Sequence, residues 1–281
     1  MQIIFPKLST IAYTNTIIKN CVDVQKSREP LTFVFEKTTW MDPFAITVIS
    51  GTIQCCLETK KRTIKYVPPE DKKLKDYLSQ IGFNKFFHIN GKDIHRDTSV
   101  ELTQLTALNP LYIENLIILI DSKMRLSQGV KDSLKMSIQE ILTNVFDHSK
   151  SESGCFVCAQ YYPSKMTIRL CITDFGVGIL SNLRTKYRIA NDIDAIKLSV
   201  QEGITSRPQS AGFGLTNIRN FLKVNEGTLA IITGKGKVNF YSKKVESYNM
   251  AKGFEGTIVN LKINAKKESF YFLTEEEEYV F

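Results

Sequence analysis

A carboxylate, an amide and an imidazole recur at four-residue steps in the stretch QEILTNVFDHS, residues 139–149. Steps of four place Glu140, Asn144 and His148 on nearly the same face of a helix. The surrounding segment 130–148 also carries apolar residues at helical spacing, which predicts an amphipathic helix. Because a helix does not need a polar stripe in order to fold, this stripe indicates a ligand-binding face.

Two glycine-rich turns and a Gly-Thr pair follow this helix in order. DFGVG at 174–178 comes directly after a predicted strand over 165–174, and GFGL at 212–215 opens a predicted helix. Gly256-Thr257 begins the last predicted strand. Glycines let a backbone turn sharply and approach a ligand closely, and the free N–H groups of a helix N-terminus bind phosphate. Each turn is common in proteins when taken alone, and it is the order and spacing of the motifs on these elements that favour a bound ligand.

The N-terminal part, residues 1–90, alternates between strand and helix signals and predicts a small α/β unit. LTFVFE at 31–36 is rich in β-branched and aromatic residues and predicts a buried strand. Asp42-Pro43 predicts a helix start, with Asp as the N-cap and Pro in the first turn. The segment 71–83 predicts an amphipathic helix that is closed by Gly82.

The polar helix, the two glycine turns and the final Gly-Thr resemble the N box, the glycine boxes and the terminal motif of the GHKL superfamily. Its members include histidine kinases, type II topoisomerases, mismatch-repair ATPases and anti-sigma-factor kinases. The resemblance covers residues 111–265 and implies the Bergerat nucleotide fold, an α/β sandwich with helices over a mixed sheet. Neither GxxxxGK[ST] nor a GxGxxG after a first strand is present, so P-loop and Rossmann sites have little support.

The same resemblance implies ATP and Mg²⁺ as cofactors and gives roles to the matched residues. Asn144 would supply one carbonyl oxygen to Mg²⁺, which otherwise keeps waters and phosphate oxygens. Glu140 would be the catalytic base, one helical turn earlier. Asp174 would accept the adenine amino group, with support from Thr257. The residues expected to bind the cofactor are Asn144, His148, Asp174, Gly176, Gly178, Ser206, Arg207, Gly212, Phe213, Gly214, Leu215 and Thr257.

One of these assignments keeps an alternative. His148 either touches the ligand or caps its own helix. Ser206 and Arg207 lie near the far end of the segment between the glycine boxes, where the resemblance implies a mobile lid. From there Arg207 would reach a phosphate.

The stretch FVFEKTTWMDPFAITVISG, residues 33–51, resembles the strand–turn–helix of STAS domains, the fold of anti-sigma-factor antagonists. In that family a serine in the turn is phosphorylated by a partner kinase. The aligned position here holds Phe44, which has no hydroxyl, so the resemblance implies a docking or dimerising module that such phosphorylation does not switch. A generic α/β cap is the alternative.

The expected fold class is therefore α/β and α+β, a STAS-like α/β unit followed by a Bergerat-type sandwich. The expected domains are a STAS-like domain at 1–90, a linker at 91–110, an ATP-binding domain at 111–265 and an acidic tail at 266–281. Both resembling families often dimerise, which makes a homodimer one expected arrangement.

The resemblances imply an ATP- and Mg²⁺-binding regulatory protein of the anti-sigma-factor type. In one interpretation it hydrolyses ATP or phosphorylates Ser/Thr on a regulatory protein partner. In the other it is a nucleotide-gated interaction module without significant turnover, in which ATP orders the lid. A histidine kinase is disfavoured because His88 and His95 lack the usual phosphoacceptor context. A DNA-processing ATPase is disfavoured because no transducer domain is evident after residue 264.

Composition bears on three further possibilities: membrane association, nucleic-acid binding and a zinc site. No stretch reaches the roughly 20 apolar residues of a membrane span, and the first residues lack a signal-peptide pattern, which predicts a cytoplasmic protein without membrane contact. The net charge is +8, but the lysines are dispersed, which favours a solvated basic surface over a nucleic-acid interface, the weaker alternative. Cys155 and Cys158 form a CxxC within a predicted strand and so point to opposite faces, which favours buried structural thiols over zinc.

Overall fold

The structure is a computed structural model that describes residues 1–5, 10–27, 29–60, 62–89, 97–204 and 214–266. These residues form a three-stranded parallel sheet and a five-stranded antiparallel sheet, together with eight helices. The expected mixture of α and β structure is therefore confirmed. Within the part of the chain that is described, no helix is long and apolar enough to cross a membrane.

The N-terminal unit alternates strands and helices, and its sheet has the order β1-β2-β3. Each parallel pair is joined by a helix, as crossover connections between parallel strands require. The elements are β1 (Gln2–Ile4), α1 (Thr10–Lys26), β2 (Leu31–Val34), α2 (Pro43–Lys60), β3 (Ile64–Val67) and α3 (Lys72–Gln80), followed by a 3₁₀ turn at Phe83–Phe87.

Helix α2 begins where the Asp42-Pro43 pair predicts. Pro43 is its first residue, and the Asp42 carboxylate accepts a hydrogen bond from the Ala45 N–H at 3.1 Å. This bond satisfies one of the free donors of the first turn. Asp42 is itself buried, so the cap lies inside the molecule rather than at its surface.

The second sheet has the order β4-β5-β6-β8-β7, and all its described neighbours are antiparallel, so it is not the mixed sheet that was expected. Its elements are β4 (Ser99–Leu105), α4 (Pro110–Met124), α5 (Gln128–Asn144), β5 (Cys155–Tyr162), β6 (Thr167–Asp174), α6 (Gly178–Leu183), α7 (Asp192–Ser199), α8 (Gly214–Val224), β7 (Thr228–Tyr241) and β8 (Val245–Asn264).

The segment 91–110, expected to be a linker, contains strand β4. Residues 99–105 alternate between buried and partly exposed positions and pair with β5 along the edge of the second sheet. The polar residues that precede this strand are typical of a linker, and this led to the prediction of a linker over the whole segment. The sheet therefore begins before the expected domain start at residue 111.

Both faces of the five-stranded sheet are covered. Cys155, Val157 and Ala159 of β5 belong to the core beneath α4, α5 and α8. Phe156 and Cys158, which alternate with them, belong to a second core that includes α1, α2 and the strands of the three-stranded sheet. The two cysteines of the CxxC are thus buried on opposite faces, as predicted. The N-terminal unit and the second sheet share one continuous core.

Candidate functional site

A cleft of about 860 Å³, a volume that includes open solvent at its mouth, lies between α5 and the end of the five-stranded sheet. The sequence-predicted residues that line it come from four separate elements. Its lining consists of Glu140, Ile141, Asn144, Val145, His148, Ser149, Ile172, Asp174, Ile179, Asn182, Leu183, Ser199, Ile204, Leu215, Thr257 and Val259.

Asp174 and Thr257 lie at the floor of this cleft. Asp174 is the last residue of β6 and stands directly opposite Thr257 on β8. The Asp174 carboxylate is 3% exposed and accepts hydrogen bonds from the Gly176 N–H, at 2.9 Å, and from Thr257. Burial nevertheless raises the pKa of the Asp174 carboxyl to about 7, because desolvation outweighs these hydrogen bonds.

Gly176 and Gly178 shape the turn that follows Asp174. A Cβ at Gly176 would lie 1.9 Å from the Ser149 carbonyl oxygen, so no side chain fits there. That carbonyl accepts the Val177 N–H at 2.7 Å, which fixes the turn against the end of the neighbouring helix. Gly178 has a φ of 77°, a conformation that favours glycine, and it starts α6.

Glu140 and Asn144 are half-buried on the cleft side of α5. The α-helix ends at Asn144 and continues as a single π turn over Val145–Ser149, rather than as the regular helix expected to residue 148. A π turn is wider than an α turn, so His148 is offset from the straight stripe that four-residue spacing predicts. His148 nevertheless lines the cleft, and such turns often occur at functional sites.

The second glycine motif reaches the cleft through Gly214 and Leu215. A Cβ at Gly214 would lie 2.9 Å from the Glu140 Cβ, so the first turn of α8 is seated directly on that side chain. Leu215 lines the cleft. Ser206, Arg207, Gly212 and Phe213 lie outside the described residues.

Sequence reasoning missed Asn182, Ser199 and the apolar walls of the cleft. Ile179, Asn182 and Leu183 all project from α6 into the cleft. Their three- and four-residue spacing immediately after the DFGVG turn is a helical signal that could have identified them. Ile172 and Val259 line the same cleft from the sheet. The sequence does not distinguish them from other apolar strand residues, so it gives no sign that they line a cleft.

The Asn144 amide oxygen is a side-chain donor in the cleft that could serve as one ligand of a metal ion. Among the residues that the structure describes, no group of three or more His, Cys, Asp or Glu side chains is arranged to hold a metal ion. The Asn144 amide and the Glu140 carboxylate stand one helical turn apart on the same cleft wall. Mg²⁺ keeps waters and phosphate oxygens as ligands, so a single side-chain carbonyl at Asn144 fits its chemistry.

Comparison with models of protein families and with curated proteins finds no match to this chain.

Proposed function

We propose that this chain is an ATP- and Mg²⁺-binding regulatory protein whose five-stranded sheet and α5 form a Bergerat-type nucleotide site. The observation that carries the proposal is the pair of Asp174, which is buried, and Thr257, which is half-buried, at the floor of a cleft whose opposite wall holds Glu140 and Asn144. A buried carboxylate with a raised pKa in an apolar cleft is a frequent mark of a binding or catalytic site.

Adenine recognition would take place at the sheet end of the cleft. The ionised Asp174 carboxylate would accept the exocyclic amino group, and Thr257 would hold that carboxylate in place. Ile172, Ile179 and Val259 supply apolar surface on which a flat base can lie. A guanine would present a carbonyl oxygen to Asp174 in place of an amino group, so the site favours adenine.

The phosphates would extend towards α5 and the first turn of α8. Asn144 would hold Mg²⁺ through its amide oxygen, and bound Mg²⁺ would neutralise the phosphate charge. Glu140, one turn away, would take a proton from an attacking water or hydroxyl. This arrangement supports ATP hydrolysis or transfer of the γ-phosphate to a serine or threonine of a partner.

The N-terminal unit supports the regulatory part of the proposal. Its three parallel strands and the α2 helix that begins at Pro43 are compatible with a STAS-like unit. Phe44 is buried and carries no hydroxyl, so a docking role fits this unit better than phosphorylation at that position. We place the protein in the cytoplasm, where its six cysteines, all thiols, would remain reduced.

A γ-labelled ATP assay tests the proposed chemistry with the intact chain. Glu140→Gln should abolish phosphate release or transfer and leave Mg·ATP binding intact. Glu152→Gln is the matched control, because Glu152 is exposed and does not line the cleft. Nucleotide binding without turnover in the wild type would favour the gated module instead. Equal turnover in wild type and Glu140→Gln would contradict the role of Glu140.

A further inference from the structure

The end of strand β6 has two sides with different neighbours. Asp174 faces the cleft, whereas Thr173 before it and Phe175 after it belong to the side covered by the N-terminal unit. This follows from the alternation of side chains along a strand. The residues that flank the candidate base-binding carboxylate are therefore in contact with another part of the chain.

Thr47 of α2 touches the first of these flanking residues. The Thr47 and Thr173 hydroxyls share a hydrogen bond at 2.9 Å, and both side chains have no exposed surface. A hydroxyl pair in a dry core fixes the local geometry, because a displaced partner would leave a buried polar group unsatisfied. Helix α2 thereby holds the strand one residue before Asp174.

Gly51, one helical turn further along α2, touches the second flanking residue. A Cβ at Gly51 would lie only 2.0 Å from the ring of Phe175. That ring also packs edge-on against Phe156 and Phe254, at centroid distances of 5.9 and 5.3 Å. Phe175 is therefore in contact with α2, β5 and β8 at the same time.

The C-terminal half of α2 makes a second connection to the same turn. The Ser153 hydroxyl donates to the Glu58 carboxylate at 2.8 Å, and the Cys55 sulfur lies 3.7 Å from that hydroxyl. In the same loop the Ser151 hydroxyl oxygen accepts the Phe175 N–H at 3.4 Å. Helix α2 thus reaches Phe175 both directly and through the loop that follows the π turn.

We propose that α2 of the N-terminal unit positions the base-binding end of the nucleotide site, and that Thr47 and Gly51 are its positioning residues. This inference rests on the proposed function. According to this proposal, the N-terminal unit packs against the strand that carries Asp174 and is not merely linked to the second unit by the chain. The position of α2 then determines the affinity of the cleft for adenine. Neither of the two residues lines the cleft.

Calorimetric titration of the intact chain with Mg·ADP tests the inference. Gly51→Ala should weaken binding by about tenfold, because the added methyl group displaces Phe175 and hence Asp174. Thr47→Val, which keeps the volume and removes the hydroxyl, should weaken it by roughly three- to tenfold. The pH midpoint of ADP affinity should also move in both variants, since a displaced Asp174 titrates differently.

Matched controls separate positioning from loss of stability. Thr52→Val removes a buried α2 hydroxyl that bonds the Val48 carbonyl at 2.7 Å. Gly253→Ala adds a methyl group where the nearest atoms are an ordinary 3.5 Å away. Both controls should keep the wild-type affinity and pH midpoint, even if urea unfolding shows that Thr52→Val loses as much stability as Thr47→Val.

The outcomes are distinct. Weaker binding and a shifted midpoint confined to the Thr47 and Gly51 variants would support the positioning role. Wild-type affinity and midpoint in Thr47→Val, measured on folded protein, would overturn it while leaving the proposed function intact, even if Gly51→Ala does not fold. Absence of ADP binding in the wild type would overturn the proposed function, and the positioning role with it.

Discussion

Arg169 of β6 forms an ion pair with Asp42, the residue that caps helix α2. The Asp42 side chain is only 4% exposed, and it also accepts a hydrogen bond from the Tyr13 hydroxyl at 3.2 Å. The Arg169 guanidinium lies over the ring of Trp40, 5.4 Å from its centroid. One buried carboxylate therefore connects α1, α2 and the second sheet.

Removal of Arg169 should destabilise the whole chain. Arg169→Ala leaves the Asp42 carboxylate buried without its cation, so the free energy of unfolding should fall by about 3 kcal/mol. Arg188→Ala, at an exposed position, should change it by less than about 0.5 kcal/mol. Urea unfolding of both variants measures the difference. Equal stabilities would show that the ion pair does not join the two units in solution.

Asp174 should make stability depend on pH in a direction opposite to that of an ordinary surface carboxylate. Its folded-state pKa of about 7 lies above the ordinary carboxyl value of 3.8, so the folded protein binds more protons than the unfolded chain between these values. The stabilising contribution is complete below the unfolded pKa and is lost as pH rises through 7. The side chain in Asp174→Asn does not titrate. The free energy of unfolding of this variant minus that of wild type should therefore increase by about 2–3 kcal/mol from pH 5 to pH 8.

Urea unfolding of nucleotide-free protein at the two pH values checks this prediction. Asp76→Asn, at an exposed position on α3, is the matched control and should track the wild type. A difference between Asp174→Asn and wild type that stays constant with pH would contradict the raised pKa. If Asp174→Asn is more stable than wild type at pH 8, Asp174 lowers the stability of the folded chain at that pH. This is expected of a residue that serves binding rather than folding.

Asn144 should matter to the metal-bound nucleotide. Asn144→Ala should weaken Mg·ATP binding at least about tenfold, the effect of losing a contact of ~1.4 kcal/mol to a charged group. Gln139→Ala removes an exposed amide from the same helix and should leave the affinity unchanged. Titrations with and without Mg²⁺ measure the effect. Equal Mg·ATP binding by Asn144→Ala and wild type would reject the metal role.

Several helix and strand boundaries can be predicted from the sequence, because they depend on residues that are close together in the chain. Asp42-Pro43 marks the start of α2 through cap chemistry, and the DFGVG turn marks the end of β6 through glycine spacing. The cleft residues Glu140, Asn144 and Asp174 were identified by type and order along the chain. The structure brings all three to one cleft, although Asp174 lies on β6 and the other two lie on α5.

The features that sequence did not predict depend on contacts between distant segments. Strand β4 is stabilised as a strand by its pairing with β5, so residues 99–105 resembled a linker when read alone. The π turn at Val145–Ser149 leaves no mark in the residue spacing. The contact of Gly51 with Phe175 spans more than a hundred residues, and nothing in either local sequence indicates that the two segments meet.

The most direct test of the account is calorimetric titration of the intact wild-type chain and Asp174→Asn with ADP and GDP at pH 8. The account predicts that wild type binds ADP, that GDP binds at least about tenfold more weakly, and that Asp174→Asn loses most of the ADP affinity because an amide cannot replace the charged acceptor. No heat from any adenine nucleotide with the wild type, or equal ADP binding by wild type and Asp174→Asn, would contradict it.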